Sequence, residues 1–63
     1  MKLTLGGDPE VVDCAIALFH LSVGETRSAH FDIKDVDVVV AETEVASLRA
    51  WCDLNSVEVR DSW

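Results

Sequence analysis

The sequence predicts an α+β domain in the order β-α-β-β-α-β, the split β-α-β or ferredoxin-like sandwich, with an antiparallel sheet and two helices on one face. Three observations carry that reading. Asp8-Pro9-Glu10 opens an apolar run, residues alternate by hydropathy through the middle of the chain, and Thr43-Glu44 precedes a second helical stripe. Residues 1–63 are expected to form a single compact domain, since 63 residues can bury only one core.

In the first strand, Met1 to Leu5, Leu3 and Leu5 alternate with Lys2 and Thr4, and Gly6-Gly7 ends it. Asp8 then caps the first free backbone N–H groups, Pro9 suits the first helical turn, and Glu10 complements the positive end of the helix dipole. The helix is expected to run from Pro9 to about Leu21. A second β region spans Thr26 to Ala41, with Ala29, Phe31 and Ile33 in one phase and Val36, Val38 and Val40 in the next. Within it, residues 27–41 read either as a hairpin turning at Lys34-Asp35 or as one long bent strand. The hairpin is preferred, because a 13-residue strand would overhang so small a domain. Thr43 caps a helix from Glu44 to Leu54, with Val45, Leu48 and Cys52 on one stripe and Asn55 as its stop. Val57 to Arg60 makes a short last strand. Both crossovers are expected to be right-handed.

Twelve acidic residues against five basic ones give a formal charge of −7, while 49% of residues are hydrophobic. That hydrophobic fraction argues against disorder. The charge argues against direct nucleic-acid binding and against anionic membranes, because a phosphate binder needs cations to displace counterions. Lys2, Arg27, Lys34, Arg49 and Arg60 are scattered and form no basic stripe. The most apolar stretch, Val11 to Leu21, is too short to span a bilayer at ~20 residues per crossing. No signal-peptide pattern follows Met1-Lys2, so a cytoplasmic location is expected. Cys14 and Cys52 are too few for a disulfide framework; they either form one bridge or remain free as small buried hydrophobes.

Candidate chemistry is sparse. Asp32, Asp35 and Asp37 flank an expected exposed turn and read as a solvated acidic rim. Cys14, His20, His30 and Cys52 lack the paired spacing that seeds a zinc site, so neither a metal nor a cofactor is expected. Cys14 is expected in the buried arc of the first helix, where a thiol is inert. His20 falls in the polar sector near that helix's C-terminal end, and His30 on the outer face of a strand. Gly6-Gly7 before a helix could cradle an anion, but Asp8 already places negative charge there. The chain is not expected to be an enzyme.

Two surfaces remain. The acids Asp32, Asp35, Asp37, Glu42 and Glu44 suggest an acidic face that docks on a basic protein surface. One form of this is an inhibitor occupying a nucleic-acid groove, as phage antagonists of nucleases or CRISPR effectors and DNA mimics do. The apolar arc of the first helix spans roughly 220°, more than the ~100° a helix needs to lie on a sheet. Val12, Ile16 and Phe19 on that arc, with Trp51 and Trp63, are therefore candidates for a partner or homodimer surface, since Trp anchors interfaces. A homo-oligomeric structural or regulatory domain is the first alternative, and a small-molecule sensor at Gly6-Gly7 the second.

Overall fold

The computed structural model describes residues 1–61. It is an α+β fold in which a four-stranded antiparallel sheet is joined to two ten-residue helices. The elements are β1 (Lys2–Gly7), α1 (Pro9–Leu18), β2 (Ser22–Ala29), β3 (Lys34–Val39), α2 (Val45–Leu54) and β4 (Glu58–Asp61), with a 3-10 turn, Glu42–Glu44, ahead of α2. The strand order across the sheet is β2-β3-β1-β4. β1 lies in the middle, pairing Leu3 with Val38 and Leu5 with Val36 on one side and Leu5 with Val59 on the other.

One core explains the helices' position. Leu3, Leu5, Val36 and Val38 from the sheet meet Val12 and Ala15 of α1 and Leu48 and Cys52 of α2, all essentially inaccessible to solvent. The alternate residues of the strands therefore face away from the helices. Asp8 accepts a 2.9 Å bond from the Glu10 N–H, with Pro9 at the first helical position, as the sequence implies.

Both helices end in the same way, and this corrects two expected boundaries. His20 (φ 53°) follows the end of α1 and Ser56 (φ 59°) follows the end of α2, each in the left-handed region. The Leu21 N–H then reaches the Ile16 carbonyl (3.0 Å), and the Val57 N–H reaches the Cys52 carbonyl (2.8 Å). These are Schellman closures, each followed by a buried apolar residue. α1 thus stops at Leu18 rather than Leu21, because Leu21 is apolar for its role as the buried residue after the turn. For the same reason β4 begins at Glu58, since the Val57 N–H is already committed to α2. Asn55 is the C-cap of α2, its side-chain amide donating to the Trp51 carbonyl at 2.8 Å.

Four further expectations are corrected. β1 does not end at Leu5 but runs through Gly6 and Gly7, which pair with Asp35 and Lys34. The chain reverses at residues 30–33, closed by a 2.7 Å bond from the His30 N–H to the Ile33 carbonyl, and not at Lys34-Asp35. Pairing with β1 draws Lys34 and Asp35 into β3 and leaves Phe31 wholly exposed at the hairpin tip. His30 accordingly sits in the turn and not on a strand face. Thr43 lies inside the 3-10 turn and is not a cap; Glu44 occupies the N-cap of α2 without a side-chain bond.

Candidate functional site

The face of the sheet turned away from the helices carries a compact charge network. Asp37, Thr4 and Arg60 stand abreast on β3, β1 and β4, and Asp35, Gly6 and Glu58 stand abreast one step along. Thr4, only 4% exposed, donates its hydroxyl to Asp37 Oδ1 at 2.7 Å. The Arg27 Nε of β2 donates to the same oxygen at 2.9 Å. That hydrogen bond first, and the Asp37 charge second, raise the Arg27 pKa further above its ordinary value. Asp37 thereby holds three strands together. Because one of its oxygens already accepts two donors, its chemistry here is that of a fastener.

Gly6 makes room for the second pair. A Cβ at that position would run into the Asp35 carboxylate, and the Arg60 guanidinium lies just beyond it. Without a side chain in the way, Arg60 Nη2 comes within 3.5 Å of Asp35 and its Nε within 3.6 Å of Glu58. Next to the Asp37 fastener is a half-open cleft of about 290 Å³, walled by Lys2, Gly24, Glu25, Arg27 and Asp37 and floored by Val38 and Val39.

The expected acidic residues do not all come together. Asp35 and Asp37 share the open face, each beside an arginine. Asp32 is exposed in the hairpin turn before β3, while Glu42 and Glu44 are exposed in the 3-10 turn after it. The two groups flank opposite ends of a six-residue strand, roughly 20 Å apart. Among all charged residues, four acids and three bases belong to the open face and its cleft. The other eight acids are accompanied only by Lys34 and Arg49. Lys34 pairs with Asp13 at 2.9 Å and Arg49 with Asp61 at 3.4 Å. The negative surplus therefore lies off the open face, on the helices and turns and on Asp61 in the helix-side phase of β4.

The apolar candidates divide. Val12 is core; Ile16, Phe19 and Trp51 are half-buried against it. Phe19 and Trp51 meet edge to face, their centroids 6.3 Å apart at 78°, and close the seam between the helices. Trp63 lies outside the described residues. Cys14, expected in the buried arc, is exposed, because 200° of helical rotation separates it from Val12. Cys52 is buried, both thiols are free, and burial pushes the Cys52 thiol pKa up. Leu18 is 58% exposed on the same side of α1 as Cys14.

Sequence reasoning overlooked Thr4, Gly6, Arg27 and Arg60. Their signal was present in part: Thr4 and Arg60 occupy the polar phase of strands whose other phase is Leu3, Leu5 and Val59. Among the described residues, no three metal-binding side chains converge and no helix is long and apolar enough to cross a membrane. Comparison with family models, with curated proteins and with solved structures returns no match.

Proposed function

We propose that this chain is a small, acidic, non-catalytic interaction domain that docks on a basic protein surface, an inhibitor seated in a nucleic-acid-binding groove being the specific form. The placement of charge carries the reading: eight acids outside the open face have only two basic neighbours, so the helix layer and turns project a one-signed field. Such a field steers encounter with a positive surface and repels phosphates. We further read the strand order as the ferredoxin-like arrangement with both helices on one face, and the location as the cytoplasm, which suits two free thiols.

The test is binding to a panel of basic nucleic-acid-binding proteins, nucleases and CRISPR effectors included, under rising salt and with duplex DNA as competitor. Affinity should fall more than tenfold between low and moderate salt, and DNA should displace the chain. Glu42→Gln/Glu44→Gln should weaken binding more than Asp35→Asn/Asp37→Asn, because the latter acids already sit beside arginines. A flat salt response, or binding unaffected by DNA, overturns the proposal.

A further inference from the structure

We propose that the outer edge of β2 is an interface between two copies of this chain, paired strand against strand and antiparallel, with a twofold axis at Thr26. β2 ends the sheet: it is bonded to β3 on one side and to nothing in the described fold on the other. Seven of its eight residues are exposed and Ser28 is half-buried. Such an edge offers a row of backbone donors and acceptors to a second strand.

The residues of this edge are complementary to themselves. Antiparallel pairing about Thr26 sets Glu25 opposite Arg27 of the second copy, and Arg27 opposite that copy's Glu25. Both residues line the cleft on the open face, so the two new pairs form on one side of the joined sheets. Arg27 uses its Nε for Asp37 and is still 55% exposed, which leaves its remaining N–H groups to reach across. Of the acidic surplus, Asp32 travels with the hairpin turn that follows β2, while the others lie at the helices, in the 3-10 turn and on β4.

Apolar exposure agrees with the same geometry. In this register Val23, 51% exposed, faces Ala29 of the second copy, and Ser22 faces its His30. The second copy's hairpin tip then lies beside the C-terminal end of α1. Phe31 (103% exposed) and Ile33 (48%) belong to that tip, and Leu18 (58%) belongs to that helix end. Register shifts on both sides of Thr26 give β2 extra residues relative to β3. Bulges of this kind twist an edge and weaken its pairing with any second strand, so the pair depends on the Glu25–Arg27 contacts on either side of the axis. A twofold pair uses the edge once and closes, so it remains finite.

Sedimentation of the 6.9 kDa chain from micromolar to millimolar concentration tests the proposal. The expected result is a twofold rise in mass. Glu25→Arg and Arg27→Glu each place like charges across the axis and should stay at the monomer mass. An equimolar mixture of the two variants restores both opposite-charge pairs and should regain the doubled mass. Should Arg27→Glu fail to fold for want of its bond to Asp37, hydrogen exchange decides: β2 amides must slow with concentration in the unaltered chain and not in Glu25→Arg. A monomer at millimolar concentration, or a Glu25→Arg chain that doubles as readily as the original, overturns the interface.

Discussion

The Thr4 hydroxyl and Asp37 Oδ1 meet at 2.7 Å although 33 residues separate them in sequence. This bond ties β1 to β3 on the face the helices leave uncovered. Arg27 arrives at the same oxygen from β2, so a single carboxylate fastens three of the four strands.

Removing the hydroxyl with Thr4→Val keeps the side-chain volume and deletes a hydrogen bond to a charged acceptor. A loss of about 1.5–3 kcal/mol is expected, and for a domain of this size each kcal/mol lowers Tm by roughly 4–8 °C. Thermal and urea denaturation followed by circular dichroism measure it. An unchanged midpoint would show that the bond contributes nothing.

Gly6→Ala drives a methyl group into the Asp35 carboxylate and separates Asp35 from Arg60. The expected cost is about 1–3 kcal/mol, typical of overpacking. If the collision is the cause, Gly6→Ala/Asp35→Ala will lose less than the sum of the two single changes. Strict additivity in a double-mutant cycle counts against the contact.

His20 and Ser56 adopt a left-handed conformation that costs an L-residue energy and costs glycine none. His20→Gly and Ser56→Gly should each stabilise the fold by about 0.5–1 kcal/mol, after the greater freedom of glycine in the unfolded chain is offset. Because the two turns lie at the ends of different helices, the gains should add.

The two thiols should behave differently. A maleimide is expected to label Cys14 in the native protein within minutes and Cys52 only on unfolding, as mass spectrometry of digested samples would reveal. Burial also makes folded Cys52 hold its proton more tightly than the unfolded chain does, whose thiol titrates near the ordinary value of 9.0. Its stabilising contribution is therefore complete at neutral pH and declines as pH rises through the folded-state value. The urea midpoint should fall on the alkaline side, and Cys52→Ala should flatten that part of the profile while lowering stability throughout.

The local signals that held are those in which several short-range effects agree, whereas the lone Thr43 cap did not mark the start of α2. Asp8, Pro9 and Glu10 start α1 because capping, a fixed φ and dipole complementarity act locally, and Asn55 stops α2 on the same grounds. The alternation of Leu3 and Leu5, and of Val36 and Val38, marked the strand faces. Tertiary structure decided where the chain reverses and which charges meet. Alternation is a phase and carries no position, so Phe31 and Ile33 looked like strand until β1 claimed Lys34 and Asp35 as partners. Leu21 and Val57 looked like helix and strand because burial after a Schellman turn requires the same apolar residues. Asp37 reads as one acid among twelve until the fold brings Thr4 and Arg27 to it, since ion pairs between distant residues depend on chain closure that no local pattern encodes.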